Sequence, residues 1–433
     1  ADDRRLFERG VKLNVMALVD SAGFDAEELA KGVELSGYGL KPGDLTALKQ
    51  LFQHATTFGS LIQVPEELAE KLPALKQLSE ATSQDLFVSE ALKCLGPLVQ
   101  QAELLAAQYD SVVANPPYMG NRYLAPVLKK YLHDRYEGYE KDLFSAFIDR
   151  DLVFSKPRGR LGFMSPFVWM FLSSHEHLRT RLINRETISS LVQLEYSGFE
   201  GATVPICTFT LQKGRVAGQA GCYVRLSDFR GSERQGPKTL EAIRHRDCGW
   251  FFEAVQDEFR MIPGSPVAYW VSDRVRQIFE EATVIGALVE AAVGLQTGDN
   301  DQFLRQWFEV SQSALSYSCS SRDAALASKK KWFPYNKGGG FRRWGGNRDY
   351  VVDWEADGRE IRAFGTEAGG RPRSRAQNTE YYFQASLSWS DITSGPPSFR
   401  MFPPGFVHDV KGMSAFHRDS RYLKGTSKNA LFQ

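Results

Sequence analysis

The stretch YDSVVANPPYMG, residues 109–120, decides how the rest of the chain is read. Its first half is short, apolar and β-branched, the composition of a buried strand. Its second half cannot extend that strand. Two consecutive prolines donate no backbone hydrogen bond, and Asn115 before them is pushed out of the helical region. The segment is therefore a rigid extended stop at a strand end. It leaves one side-chain amide, one or two free carbonyls and one aromatic ring facing the same space.

Outward from this stop the chain divides into three regions. Residues 1–108 are rich in Leu, Ala, Glu and Lys at helical spacing, as in VPEELAEKLPALKQLSEA, with Pro65 placed as a helix starter. A mainly helical segment is expected there. Over residues 109–215 strands and helices alternate. SVVA reads as a buried strand, and KDLFSAFIDRDLVF as an amphipathic helix with Leu143, Phe144, Phe147 and Ile148 on one side. GRLGFMSPF is a second buried strand, HLRTRLINRETI is helical, and SSLVQLEY and ICTFTLQKG form a closing pair of strands. This alternation predicts an α/β domain, a sheet sandwiched by helices, with ligands at the carboxyl ends of its strands. Asn115 sits at such an end. From residue 216 to 433 Gly, Pro, Arg and aromatics rise and periodicity weakens, so a separate mixed α/β or mostly β domain is expected. No internal repeat is evident.

The chain has 433 residues, 42% hydrophobic and 24% charged, as ordinary globular proteins are. Its most apolar window, LGFMSPFVWMFL (161–172), is broken by Ser165 and Pro166 and is too short to span a membrane. Cys94, Cys207, Cys222, Cys248 and Cys319 form no close-spaced pair, which points to structural thiols in a reduced, cytoplasmic setting. His175 and His177 lack a third ligand nearby, so no metal site is expected. The net charge of +1 hides an asymmetry. Residues 1–110 hold ten basic against seventeen acidic side chains, whereas 329–375 hold twelve basic against six acidic. A basic second half points towards a polyanionic partner.

Asn-Pro-Pro-Tyr directly after a buried strand resembles the catalytic motif of amino-group methyltransferases that use S-adenosylmethionine. The segments YDSVVANPPYMGNRYL, KDLFSAFIDRDLVF, GRLGFMSPFVWMFLSS, LRTRLI and FEGATVPICTFTLQKG are similar to the second half of the catalytic domain of gamma-type adenine-N6 DNA methyltransferases. Further on, GLQTGDNDQFLRQW, KKWFPYNKGGGFRRWGGNRDYVVDW and SWSDITSGPPSFRMFPPGFVHDVKGMSAF resemble the target-recognition region of one subgroup, the methyltransferases of BREX phage-exclusion systems, close to the fused restriction-modification enzymes. The resemblance covers nearly the whole chain. It implies the C-terminal half of a class I methyltransferase sheet, S-adenosylmethionine as cofactor, double-stranded DNA as partner and a place beside other phage-defence proteins.

The resemblance also assigns roles. The exocyclic nitrogen of adenine is a poor nucleophile, because its lone pair is delocalised into the ring. Acceptors fixed on its two N–H bonds, the Asn115 side-chain oxygen and the Pro116 carbonyl, would localise that lone pair and stabilise charge developing on nitrogen. Pro117 would keep the segment rigid. Tyr118 would stack on a base extruded from the duplex, and Phe199 in SGFEGATV matches a second aromatic that touches this base in the family. In NKGGGFRRWGGN, Lys337, Arg342, Arg343 and Arg348 alternate with Phe341 and Trp344 on a glycine-rich, flexible backbone suited to phosphates or guanine edges. Arg371, Arg373 and Arg375 in GRPRSRAQN read as one basic strand face or a disordered loop, with Arg373 as a weaker DNA contact.

One departure qualifies the resemblance. The family's cofactor loop, an acidic residue followed by Gly-x-Gly after the first strand, has no match within 1–114. Gly37 and Gly39 in ELSGYGLKPGD follow no strong strand. The chain is therefore read as the C-terminal portion of a longer enzyme, with the cofactor loop expected upstream of Ala1, residues 1–108 inserted between the two halves, and the recognition region incomplete. Two other readings stay open. One is a non-catalytic DNA-binding or sensing component of a defence complex; the other is a protein glutamine methyltransferase, which residues 216–433 argue against.

Overall fold

The computed structural model describes residues 14–196, 198, 204–366, 369–391 and 396–418. The chain forms two compact units, residues 1–281 and 282–433.

The first unit begins with helices whose ends follow from local chemistry. Asp25 accepts from the backbone N–H groups of Glu27 and Glu28, and so opens the helix Ala26–Gly32. Asp85 does the same for Phe87 and Val88 at the head of the long helix Leu86–Ala106. Along that helix Val88, Ala91, Leu92, Leu95, Leu98, Val99, Ala102 and Leu105 are buried, a stripe spaced by three and four residues. The helices Ala26–Gly32, Pro42–Leu51 and Leu72–Ser79 complete a leucine-rich core around it. The run that starts at Pro65 does not make one helix. It breaks at Glu70–Lys71 into Glu66–Ala69 and Leu72–Ser79, the second with Pro73 in its first turn.

A six-stranded sheet follows: β1 (Tyr109–Ala114), β2 (Ser155–Pro166), β3 (Thr187–Gln193), β4 (Ile206–Gln212), β5 (Ala220–Arg225) and β6 (Phe251–Val255). Their spatial order is β1-β2-β4-β3-β5-β6. β1 and β2 are parallel, with Val112 opposite Leu161 and Ala114 opposite Phe163. β4 runs antiparallel between β2 and β3. The sequence places the limit of this region at 215. In the structure β5 and β6 continue the same sheet, so Ala220–Val255 belongs with it.

One face of the sheet is sealed. Leu161, Phe163, Leu191, Phe209 and Leu211 pack with Phe144, Ile148, Leu152, Trp169, Leu178 and Leu182 from the helices Leu143–Phe154 and Glu176–Arg185 and the turn after β2. The other face is open among the described residues. Val113 is 85% exposed there, and with Gly162, Met164, Thr208 and Thr210 it lines an open hollow of about 360 Å³ that reaches Asn115. Strand alternation explains the split, because successive side chains must point to opposite faces.

Arg150 ties the helical part to the sheet. It is buried and donates to the carbonyls of Ser60 (2.9 Å), Ile62 (2.8 Å) and Leu105 (2.7 Å), with its guanidinium over the Phe154 ring.

The second unit is mixed α/β, with helices such as Arg322–Ser328 and Glu355–Ala363 beside the strands β7 (Val289–Ala292), β8 (Leu295–Gln296), β9 (Leu304–Gln306), β10 (Trp332–Asn336), β11 (Tyr350–Asp353), β12 (Arg375–Ala376), β13 (Ser386–Ser390), β14 (Phe399–Phe402), β15 (Val407–His408) and β16 (Gly412–His417). They make two four-stranded sheets, β15-β10-β11-β9 and β14-β13-β16-β7, and a short β8–β12 ladder. The unit has its own core, built on Phe333, Tyr335, Val352, Trp354, Tyr382 and Phe383.

Candidate active site

β1 ends at Ala114, and the two prolines stop it as their chemistry requires. Asn115 emerges exposed, Pro116 is buried, Pro117 is exposed and Tyr118 is half-buried against the core. The motif is closed on itself by a bond that sequence reasoning missed: the Tyr118 hydroxyl donates to the Asn115 side-chain oxygen at 3.1 Å. That oxygen has two lone pairs, so one remains for an incoming N–H. Among the described residues no group donates to the Pro116 carbonyl. Asn115 and Pro116 thus offer two acceptors at one strand end, beside an apolar hollow.

The segment after the motif is clamped by Asp142, which sequence reasoning also missed. Its carboxylate accepts from the Met119 N–H at 3.0 Å and from Phe144 N–H at 3.4 Å, where it caps the helix Leu143–Phe154. Two backbone bonds complete the joint, Asn121 N–H to Lys141 and Leu143 N–H to Met119. The signal was available in the sequence, since an Asp directly before an apolar helix is a capping pattern. Burial pushes the Asp142 carboxyl up, and the N–H groups of Met119, Phe144 and Leu143 work against that rise.

The electrostatics keep the motif neutral. Burial, and to a smaller degree the neighbouring Cys207, raise the Tyr118 phenol, so it stays a protonated donor at neutral pH. Cys207 itself is fully buried and its thiol is pushed up to about 12. It is a core residue in contact with the Ser165 hydroxyl, as its reading as a structural thiol requires. Phe199, the proposed second aromatic, lies outside the described residues.

The basic candidates are in the second unit. Lys337, Arg342, Arg343 and Arg348 all lie on the hairpin loop that joins β10 to β11, and the three arginines are exposed. The loop is not the flexible segment that its glycines suggest. The Ser390 hydroxyl donates to the Gly339 carbonyl (2.8 Å), Asn347 to Gly340 (3.0 Å) and the Arg348 guanidinium to Met401 (2.8 Å). Gly338 has φ 78° and lies so near the Lys411 backbone that a Cβ would meet its carbonyl at 2.9 Å. Here glycine serves a left-handed backbone and close approach, not mobility. Lys337 lies over the Tyr350 ring at 4.3 Å and lines a hollow with Thr297, Asn300, Asp409 and Lys411.

Arg373 does not share a strand face with Arg371 and Arg375. Only Arg375–Ala376 pairs, with β8, while Arg373 is fastened by its N–H to the Phe364 carbonyl and its guanidinium lies 5.8 Å from the Phe364 ring. The two histidines pack on aromatic rings, His175 beside Phe144 and His177 stacked on Tyr139.

The glycine pair of the helical part does not have the placement of a cofactor loop. Gly37 and Gly39 fall in a short 3-10 turn of the helical part, after the helix Ala26–Gly32 and not after a strand.

The strand order, with β4 antiparallel between β2 and β3, the strand-terminal Asn-Pro-Pro-Tyr and the helices on the sealed face agree with the α/β methyltransferase sheet that the sequence resemblance implies. Residues 46–199 match the family model of the Eco57I restriction-modification methylase. The chain is 31% identical over 431 residues to the adenine-specific methyltransferase PglX of Lacticaseibacillus casei (strain Zhang), covering 98% of this chain and 35% of that protein. It is 32% identical over 440 residues to the adenine-specific methyltransferase BrxX of Escherichia coli O9:H4 (strain HS), covering 96% and 35%. The type II restriction enzyme and methyltransferase RM.Eco57I of Escherichia coli is 25% identical over 174 residues, 37% of this chain and 17% of that protein. The similarity to the two adenine-specific methyltransferases PglX and BrxX holds along nearly the whole chain, which spans about a third of their length. No helix among the described residues is long and apolar enough to cross a membrane.

Proposed function

We propose that this chain carries the base-binding half of the active site, and the DNA-recognition region, of a site-specific DNA adenine-N6 methyltransferase working in a BREX phage-defence system. The methyl donor is S-adenosylmethionine and the substrate is an adenine flipped out of double-stranded DNA in the cytoplasm. The observation that carries the reading is the pair of acceptors at the end of β1, the Asn115 side-chain oxygen and the Pro116 carbonyl, fixed on a proline-stiffened backbone.

Two such acceptors match the two N–H bonds of one exocyclic amino group. They orient it, and they stabilise the positive charge that grows on nitrogen as the new bond forms. No strong base is needed at this stage, because the proton becomes acidic only once the nitrogen is alkylated. Tyr118 holds the Asn115 amide through its hydroxyl and offers its ring to the base. The basic hairpin loop, with Lys337, Arg342, Arg343 and Arg348, supplies phosphate contacts, and Arg373 adds a further positive charge.

The test is Asn115→Ala in the complete enzyme. One acceptor is removed at an exposed position, so folding and DNA binding persist while N6-methyladenine disappears from the DNA of cells carrying only the variant. Methylation at the wild-type level in that experiment would remove Asn115 from the chemistry.

A further inference from the structure

The loop between β10 and β11 holds one bulky residue in a backbone conformation that bulky residues avoid. Trp344 has φ 66°, in the left-handed region where glycine is the default. The chain has glycines on both sides of it, at 338–340 and 345–346, and yet places tryptophan at the left-handed position. Two backbone bonds hold it there. The Trp344 N–H donates to the Phe399 carbonyl at 2.7 Å, and the Trp344 carbonyl accepts from the Met401 N–H at 3.1 Å.

Burial does not explain this residue. Trp344 is 59% exposed, and Phe341 (49%), Phe399 (39%) and Met401 (42%) are exposed on the same loop and on the strand to which it is pinned. Strain retained at an exposed aromatic is a sign of function. The flanks give the chemistry of the partner: Arg342 and Arg343 are exposed and directly precede Trp344. A rigid aromatic tip beside two guanidiniums suits stacked bases between phosphates. Beneath the loop, Arg400 is buried and donates to the hydroxyls of Ser398 and Ser390, and Ser390 in turn holds the Gly339 carbonyl. The base of the tip is thus cross-braced.

We propose that Trp344 is a wedge that enters a base step of duplex DNA and partly unstacks it, with Arg342 and Arg343 gripping the adjoining phosphates. The proposal rests on the reading of this chain as DNA-binding and adds to it a residue that deforms the duplex. A wedge must keep its aim while it works against base stacking, and the hydrogen-bonded loop provides that stiffness. Unstacking at the wedge reports sequence through the ease with which each step deforms.

The 433-residue chain is titrated with a random-sequence duplex at several salt concentrations, and closed circular plasmid is relaxed by topoisomerase in its presence to read unwinding. The wild type is expected to bind and to leave a linking-number deficit. Trp344→Gly takes the same backbone without strain, so the loop persists; it should lose the deficit and bind about 5- to 150-fold more weakly, with an unchanged salt slope. Trp344→Phe keeps a ring and should retain most of both. Arg342→Ala and Arg343→Ala should each reduce the salt slope by about one unit and keep the unwinding. Unwinding and affinity left intact in Trp344→Gly would overturn the wedge alone. A wild-type chain that binds no duplex at any salt concentration would overturn the DNA-binding reading along with it.

Discussion

Replacing Tyr118 by Phe separates the hydrogen bond seen in the structure from the base stacking proposed for the ring. The ring stays and the hydroxyl goes, and with it the 3.1 Å bond to the Asn115 oxygen. That bond joins two uncharged groups, one exposed and one half-buried, which puts its net worth at about 0.5–1 kcal/mol, the lower part of the usual range. An Asn115 amide released from this hold samples other rotamers, so the loss should appear as a two- to fivefold fall in kcat with little change in KM. Tyr118→Ala removes the stacking face as well, worth roughly a further 1–3 kcal/mol, and should weaken both kcat and KM. Single-turnover transfer of labelled methyl groups by the complete enzyme measures the difference, with thermal melts to confirm that both variants fold. Equal falls in the two variants would mean that the hydroxyl carries the effect and that the ring does not stack on the base. A fall beyond a hundredfold in Tyr118→Phe would give the phenol a part in the chemistry itself.

Two predictions concern the joint between the helical part and the sheet. Arg150→Ala strips three buried carbonyls of a charged donor and should cost about 3–5 kcal/mol, a fall in Tm on the order of 10 °C by calorimetry; a loss under about 1 kcal/mol would mean that water replaces the guanidinium. The neighbouring Asp151 is buried with one carboxylate oxygen unpartnered, and burial pushes its carboxyl up to about 7, partly offset by Arg150. Because this value lies above that of the unfolded chain, the stability contributed by neutral Asp151 is complete below about pH 4 and is lost as pH rises through 7, by up to about 4 kcal/mol. Asp151→Asn should flatten that dependence in urea titrations from pH 4 to 8; parallel pH profiles for the two proteins would refute the assignment.

Much of the region around the candidate site can be read along the chain. The strand before Asn115 and its proline stop follow from backbone chemistry alone, and so does the amphipathic helix Leu143–Phe154, because these depend on residues adjacent in sequence. Alternation in ICTFTLQ likewise assigns Cys207, Phe209 and Leu211 to one face and Thr208 and Thr210 to the other. The basic loop was legible in its composition but not in its mechanics. Three glycines in a row suggest mobility, and only the partners at Lys411, Ser390, Phe399 and Met401 turn them into a braced turn.

What the sequence determined by itself is therefore the local part: the motif, its strand, the helices beside it and the family these segments resemble. The tertiary structure alone decided the order β1-β2-β4-β3-β5-β6, the inclusion of β5 and β6 in that sheet, and the open face beside Asn115. It also decided the bond from Tyr118 to Asn115, the clamp of Asp142 on Met119 and the left-handed Trp344. The physical reason is the same in each case. Propensity and hydrophobic period are properties of neighbours along the chain, whereas hydrogen-bond partners and strand neighbours are drawn from residues tens of positions apart, where one sequence leaves many pairings open until packing selects among them.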